Sequence, residues 1–434
     1  MRHRAFSLFW GAGAASDIGT WVQLAAIGSL VAVSSGSALA TGMIAAATFL
    51  PQGLCSPIGG LLADRFERRR TFLTTLGAQA IITTIIATLI AAGLRNPLAL
   101  SGLVLLQSSA GALGGPSLQA ILPDLVPADE LTSAVALGVT SWNSGRVLGP
   151  LLATALVPFG AHWAVAANGI SFAILWLAIL GCRRQFLPRA PAWSSMRSEL
   201  VAGARALRAS RGCATAVATL ATLHLCLIPF MGLIPSTTRA MLQRGGAAVT
   251  DSSVTSISAR LFSAQGVGAI VGSLVVANLV KRFRRSSLIT AAMAVVAVLV
   301  AVHEYAPGWV TAAAIILVMG ACIAVMQSVF GGVVQRDASP EHRGRIISWY
   351  QGFNGMAYGL GLLTLGFTSD RFGLRTTFAV SGVLTAALLL AGRRSPTWAD
   401  AIDGRAAIEG DSTPAHVDVT IPRTVPGLSV AAGN

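Results

Sequence analysis

The sequence predicts an all-α integral membrane protein with twelve transmembrane helices, arranged as two six-helix pseudo-repeats. Three observations predict this fold class. The chain of 434 residues is 54% hydrophobic and only 11% charged, whereas soluble proteins carry about 25% charged residues. Apolar stretches long enough to cross a bilayer recur along the whole chain, and short motifs repeat at one constant offset.

The spans follow from length and hydropathy. A helix that crosses the hydrocarbon core needs roughly 20 mostly apolar residues, and twelve stretches meet this requirement. They cover residues 6–33, 38–62, 71–93, 98–121, 131–156, 163–181, 213–236, 257–279, 287–303, 309–333, 345–366 and 376–392. The fifth and eleventh are the most polar. The first is too long for the apolar core of a cleavable signal peptide, so we expect it to be a span.

The basic residues predict the orientation. With a cytoplasmic N-terminus, 24 Lys and Arg residues fall in inner segments and 6 in outer segments, and Arg146 lies inside a span. The positive-inside rule therefore predicts that both termini are cytoplasmic. The Ala-rich chain with Lys281 as its single lysine is typical of a GC-rich bacterial genome, so we expect a bacterial inner membrane. In a soluble chain the net charge of +14 would suggest nucleic-acid binding. Here the charge lies between apolar segments, and we expect no nucleic-acid partner.

Composition divides the chain into four parts. Residues 1–181 and 213–394 are the predicted six-helix bundles. Residues 182–212 form a cytoplasmic linker, in which apolar residues at helical spacing predict an amphipathic helix over 198–210 at the inner interface. The alternative for this segment is a solvated linker. Residues 395–434 lack a long apolar run and are rich in polar residues, so we expect a disordered cytoplasmic tail.

The two halves echo each other at an offset of 213 residues. Gly59 matches Gly272, the pair Phe159-Gly160 matches Phe372-Gly373, Gly169 matches Gly382, and Asp124 matches Asp337. Parallel six-span repeats are typical of transporters whose halves rock around a central site.

A motif after the second span points to a family. The sequence there runs Gly60-Leu-Leu-Ala-Asp64-Arg65-Phe-Glu-Arg68-Arg69-Arg70. It resembles the GxxxDRxGRR signature of the major facilitator superfamily, with Glu67 in place of the second glycine, and a related copy stands at Gly366–Arg375. Further stretches, among them FSLFWGAGAASDIGTWVQ, GRVLGPLL and PEHRGRIIS, resemble the bacterial subgroup of enterobactin-type siderophore exporters and drug-efflux proteins. The resemblance implies the twelve-helix major facilitator fold, alternating access, and export driven by the proton gradient.

The resemblance also implies a gate at the inner side, because it places span two beside span eleven and span five beside span eight. One expected cluster consists of Gly60, Asp64, Arg65, Arg68 and Arg69 with Arg343 and Arg345. The other consists of Asp129 and Glu130 with Lys281 and Arg282. Both would join the halves. The alternative is that these charges reflect only topology and helix-end preferences.

Span five carries a second partial match. Gly145, Gly149 and Pro150 resemble the GxxxGPxxGG motif of proton antiporters, although Ala153 and Thr154 replace its closing glycines. The alternative reading is close helix packing without a coupling role. Span four departs from many antiporters because Val104 stands where they carry an arginine.

Charges within spans are costly and are functional candidates. Asp17 in span one and Arg146 in span five are predicted to pair, with Asp17 taking and releasing the coupling proton. The alternative is a static strut between two helices. His224 in span seven is a second candidate for the proton site, and its alternative role is a hydrogen-bonded packing residue.

Other polar side chains within spans predict a cavity for a bulky, partly polar ligand. The candidates are Gln23, Gln107, Asn143, Gln327, Asn354 and Tyr358.

These features predict a monomeric exporter of a small organic molecule, either a drug-like compound or a siderophore, working by proton antiport in the lipid bilayer. The alternatives are an uptake transporter or lipid flippase of the same fold, and a non-transporting membrane sensor or scaffold. The sequence lacks a nucleophile–base–acid constellation, a CxxC and an HxxH, so we expect no enzyme activity, cofactor or metal site. We also expect no disulfide among the five cysteines.

Overall fold

The computed structural model describes residues 4–127, 129–181, 196–339, 343–393 and 396–404. The first half consists of six long helices. They are α1 (Arg4–Ser35), α2 (Ala38–Arg65), α3 (Arg68–Ala91), α4 (Pro97–Leu125), α5 (Leu131–Leu156) and α6 (Ala161–Gly181).

The second half begins after a shorter helix, α7 (Met196–Ala209). Its helices are α8 (Arg211–Cys226), α9 (Ile234–Arg244), α10 (Asp251–Arg282), α11 (Arg285–His303), α12 (Trp309–Asp337), α13 (Arg343–Phe372), α14 (Leu374–Arg393) and α15 (Pro396–Asp403). The predicted seventh span is α8 and α9 joined by a 3-10 segment, Ile228–Leu233, and prolines stand at the start of that segment and of α9.

Ten helical segments of the described chain are long and apolar enough to cross a membrane, with α8 to α9 counted as one segment. The two predicted spans outside this set are α5 and α13. They are 26 and 30 residues long, and they correspond to the two most polar stretches of the sequence. The all-α membrane fold is therefore confirmed. A total of twelve spans requires that α5 and α13 also cross the membrane.

Each half packs by the same scheme. In the first half α2 packs against α4, and α3 packs against α4 and α6. In the second half α10 packs against α12, and α11 packs against α12 and α14. The glycines of the repeat occupy equivalent places in this scheme. A Cβ on Gly59 would lie 2.5 Å from the Leu113 carbonyl oxygen of α4, and a Cβ on Gly272 would lie 2.2 Å from the Ala321 carbonyl oxygen of α12.

The turns before α6 and α14 are also equivalent. Gly160 and Gly373 both adopt positive φ, at 120° and 84°, a region in which side chains other than glycine are strained. The constant offset in the sequence thus marks real structural equivalence.

The two halves meet along α2 with α13 and along α5 with α10. We call the end that carries the Gly60–Arg70 motif the inner end, following the predicted topology, and the opposite end the outer end. At the outer end Asp370 of α13 accepts hydrogen bonds at the start of α2, from Ser37 Oγ at 2.5 Å and Ala38 N at 2.6 Å. Nearer the middle, a Cβ on Gly53 would lie 2.6 Å from the Gly352 carbonyl oxygen. These contacts hold α2 and α13 together from the outer end to beyond the middle of both helices.

Two short helices lie at the inner end. α7 covers most of the predicted amphipathic helix, packs against α8 and α13, and buries Leu207. This packing favours the amphipathic helix over a solvated linker.

The helix α15 corrects the expectation of a disordered tail over 395–434. Ala401 and Ile402 are buried, and Trp398 Nε1 donates to Thr219 Oγ1 at 3.1 Å. Asp403 accepts from the backbone N of Ser286 at 2.9 Å, at the start of α11. The apolar residues at i, i+3 and i+4 give this short segment one face to bury. Residues 405–434 lie outside the described residues.

Candidate substrate cavity and charged sites

A cavity of about 180 Å³ lies between the two halves. Both halves contribute aromatic and polar side chains to its wall. The first half supplies Trp21, Phe49, Gln52 and Arg146, and the second supplies His224, Phe262, Gln327, Gln351, Asn354 and Tyr358. Its mixture of aromatic rings and a few polar groups suits an organic ligand.

Arg146 is the charged residue of the cavity wall. Its guanidinium carbon lies 5.1 Å from the centre of the Trp21 ring, which is a cation–π contact. The Nε of Arg146 is buried without a hydrogen-bond partner, and within the described chain no ion pair joins the guanidinium to an acid.

Asp17 does not pair with Arg146, so the predicted pairing is wrong for this conformation. The carboxylate of Asp17 instead accepts a hydrogen bond from Ser141 Oγ. The reason is the register of α5. Ser141, Gly145 and Gly149 follow each other at intervals of four and face α1, while Arg146 is one residue further and points into the cavity. Asp17 and Arg146 remain candidates for proton coupling, as separate groups.

His224 makes a packing contact and also lies in the cavity wall, and its role as a proton site stays a prediction. Its Nδ1 is 2.9 Å from the Leu220 carbonyl oxygen one turn earlier in α8, which is a local packing contact. The ring also lines the cavity and makes an edge contact with Tyr358, with ring centres 6.0 Å apart.

Three of the six predicted cavity residues do line the cavity, namely Gln327, Asn354 and Tyr358. Gln23 and Gln107 do not. They form a buried network inside the first half, in which Gln23 Nε2 donates to Gln107 Oε1 at 2.7 Å and Asn168 Nδ2 donates to Gln23 Oε1 at 2.7 Å. Asn143 also lies outside the cavity wall, and its amide donates to the Val139 carbonyl.

The basic residues of the loop motif make contacts within the first half. Arg68 Nη1 donates to the Ala120 carbonyl at 3.2 Å and lies 3.8 Å from Asp124. Arg69 donates to the carbonyls of Ile179 and Leu180 at the end of α6. These two arginines hold α3 to α4 and α6, which differs from the predicted role of joining the halves.

Of the remaining motif positions, the structure describes Gly60, Arg65 and Arg343. A Cβ on Gly60 would meet no atom within 4 Å, and Arg65 and Arg343 are exposed. The side chains of Asp64 and Arg345 lie outside the described part of the chain.

The structure describes part of the second predicted gate. Asp129, Lys281 and Arg282 are exposed, and in the described chain Asp129 makes no ion pair with either base. A contact between α5 and α10 lies beyond the middle of α5, where Ser263 Oγ donates to the Val147 carbonyl at 3.2 Å. The predicted pairing of Asp129 with Lys281 and Arg282 is therefore absent in this conformation.

The antiporter-like glycines serve packing. A Cβ on Gly149 would lie 2.5 Å from Trp21 Cβ, and a Cβ on Gly145 would lie 3.0 Å from the Asp17 backbone. The helix α5 thus lies close to α1 at Gly145 and Gly149, next to Pro150. This contact sets the position of Trp21 beside Arg146. A coupling role is not required for this contact.

Sequence reasoning missed Trp21, Phe49, Gln52 and Phe262 as cavity residues. A usable signal was present for α1, because Trp21, Leu24 and Gly28 line the cavity and recur at intervals of three and four residues.

The helical fold and the cavity between two halves define a membrane transporter. The chain belongs to the transmembrane secretion effector family of the major facilitator superfamily, whose pattern it matches over residues 1–417. Macrolide efflux protein A of Streptococcus pyogenes is 26% identical over 394 residues, which cover 87% of this chain and 93% of that protein. Multidrug resistance protein MdtG of Enterobacter lignolyticus is 22% identical over 349 residues, or 79% of each chain.

Solved structures share the fold. The nucleoside transporter NupG matches with a TM-score of 0.71 at 14% identity, covering 89% of this chain and 98% of that one. A bacterial homolog of the human lysosomal transporter Spinster, in an inward-facing and unoccupied conformation, matches with a TM-score of 0.69 at 16% identity, covering 95% and 99%. At this identity the likeness concerns the fold alone.

Proposed function

We propose that this protein exports a small organic molecule from the bacterial cytoplasm by alternating access, with protons moving in the opposite direction. The observation that carries the proposal is the central cavity, which both halves line. A cargo molecule in such a cavity contacts both halves, so their relative rocking moves its access from one side to the other.

The direction of transport is supported by the relatives. Macrolide efflux protein A and protein MdtG are named for efflux and drug resistance. A drug-like compound fits the aromatic wall formed by Trp21, Phe49, Phe262 and Tyr358. A siderophore is the second candidate cargo of the same route, and it rests on the sequence resemblance.

Proton coupling is supported by the placement of Asp17. It lies on α1 one turn before Trp21, and its hydrogen bond to Ser141 joins α1 to α5. Movement between α1 and α5 would change the surroundings of this carboxylate, which is what a proton carrier requires. His224 is the second candidate, because it lines the cavity itself. We propose that both termini are cytoplasmic and that the protein works as a monomer in the inner membrane.

The proposal is tested in a bacterial strain without its own major efflux pumps. Expression should raise the concentration at which at least one compound in a panel of antibiotics and siderophores inhibits growth, and should lower the accumulation of that compound. The matched control is Gly28→Phe, which places a benzyl group in the cavity wall and should remove the protection at equal expression. Equal inhibition with the wild type, the control variant and an empty vector across the panel would contradict export of such compounds.

A further inference from the structure

The wall of the central cavity carries an uncompensated positive charge. Arg146 is the charged residue among the wall residues, and the wall contains no Asp or Glu. Asp17 is held by Ser141, and no ion pair reaches Arg146 within the described residues.

An uncompensated cation at this depth is costly. Insertion of an arginine at the centre of a membrane helix is unfavourable. In an open cavity water can solvate the guanidinium. When the halves close around a cargo, that water is displaced, and a buried charge without a partner is strongly unfavourable. The closed, loaded state therefore needs a negatively charged group beside the guanidinium. The cargo is the molecule that enters the cavity before the halves close.

Unused hydrogen-bond donors point in the same direction. The Nε of Arg146 and the Nε1 of Trp21 are both buried without a hydrogen-bond partner. Trp21 is only 4% exposed, and its ring lies under the guanidinium. Both groups are donors only, so together they suit an acceptor such as a carboxylate or a phenolate.

We propose that Arg146 and Trp21 form an anion subsite, and that the cargo is an aromatic compound with an acidic group. The acid pairs with the guanidinium, and the aromatic part packs among Phe49, Phe262 and Tyr358. Planar carboxylates and guanidinium groups match in geometry. This inference rests on the proposed export function for its biological meaning, but the binding it describes is measured without transport.

The test uses two dyes that share the xanthene ring system and differ in charge. Fluorescein is titrated at a pH at which it is a dianion, and rhodamine 123 is a cation. Binding to the purified full-length protein in a neutral maltoside detergent is followed by fluorescence anisotropy. The wild type should bind fluorescein at least about tenfold more tightly than rhodamine 123, since a charge-assisted contact contributes about 1.5–3 kcal/mol.

Substitutions assign that preference to the subsite. Arg146→Gln should weaken fluorescein binding at least about tenfold and leave rhodamine 123 binding unchanged or tighter, while Arg146→Lys should retain part of the affinity. The matched control is Arg260→Gln. Arg260 also lies over an indole, that of Trp309 at 4.5 Å, but outside the cavity wall, so this variant should bind both dyes like the wild type.

Several results would overturn the subsite. They are tighter binding of rhodamine 123 by the wild type, no binding of fluorescein by the wild type, or unchanged fluorescein binding by a folded Arg146→Gln variant. If Arg146→Gln does not fold, the dye preference of the wild type and the Arg146→Lys result still decide. Failure of export in cells with intact fluorescein binding would contradict the proposed function and leave the subsite standing.

Discussion

The carboxylate of Asp370 at the end of α13 caps the start of α2 through Ser37, with 2.5 Å between Asp370 Oδ2 and Ser37 Oγ. The same carboxylate accepts from the backbone N of Ala38 at 2.6 Å. A carboxylate at a helix N-terminus satisfies free N–H groups and the positive end of the helix dipole. Because α13 and α2 belong to different halves, this cap works as an outer latch.

Removal of the latch charge should favour opening of the outer end. Asp370→Asn removes a charge at a helix N-terminus, which contributes about 0.3–1 kcal/mol, so a cysteine placed at Thr41, which is 1% exposed, should react faster with a membrane-impermeant maleimide added outside. The native cysteines are first replaced by serine. Glu304→Gln is the control, since Glu304 pairs with Arg244 within the second half and its replacement should leave the labelling rate unchanged. Equal labelling rates in Asp370→Asn and its parent would argue against the latch.

The amide network and the cavity amide should respond differently to substitution. Gln107→Leu removes the acceptor of Gln23 Nε2, while Asn168 still donates to Gln23 Oε1, at a cost of about 0.6–1.7 kcal/mol. We expect a lower apparent melting temperature with unchanged cargo preference. Gln327→Leu, in the cavity wall, should change cargo preference with little effect on melting. The reverse pattern would show that the assignment of these two residues is wrong.

The helix α15 should stabilise the second half. Deletion of residues 396–434 removes the Trp398–Thr219 and Asp403–Ser286 hydrogen bonds and should lower the apparent melting temperature. The control is deletion of 405–434 alone, which leaves α15 in place and should have a much smaller effect. Identical melting of the two truncated proteins would mean that the docked helix contributes little.

The family resemblance implied which spans are neighbours. The spans and the repeat were predictable from the sequence itself, because they depend on apolar length and on glycines at a constant offset. The rotation of each helix about its own axis was not. The few polar residues of a membrane helix such as α1 do not tell which face meets lipid, a neighbouring helix or the cavity. That is why Gln23 and Asn143 were assigned to the cavity and Trp21 was not.

The same limit explains the Asp17–Arg146 prediction. It identified two neighbouring helices and two charged residues correctly, but a shift of one residue along α5 separates the position that faces Asp17 from the one that faces the cavity. The helix α15 was missed because its eight residues, Pro396–Asp403, are too few for a periodic signal and are stabilised by contacts with distant residues of the chain.

Because Asp17 and Arg146 do not pair in this conformation, replacing both residues should not restore what each single replacement loses. Asp17→Asn should remove the response of transport to a pH gradient while cargo binding persists, and Arg146→Gln should weaken binding of an acidic cargo. Because no ion pair couples the two, their effects should add in free energy, and the double variant should not recover coupled transport. Ser141→Ala is the control that loses the hydrogen bond to Asp17 but keeps the charge. Recovery in the double variant would reveal a pair that forms elsewhere in the cycle.

The direction and coupling of transport are measured most directly in proteoliposomes with an imposed pH gradient, using the compound that expression protects against most strongly. With an acidic lumen, protons leave the vesicles, and antiport should drive the compound inward above its equilibrium level. Protein-free vesicles with the same gradient and the Gly28→Phe variant correct for passive distribution. Accumulation that appears with the acidic lumen and collapses with a protonophore is the predicted result. Expulsion of the compound under that gradient would indicate symport, and no effect of the gradient would indicate uncoupled transport, so either result would contradict proton-driven export.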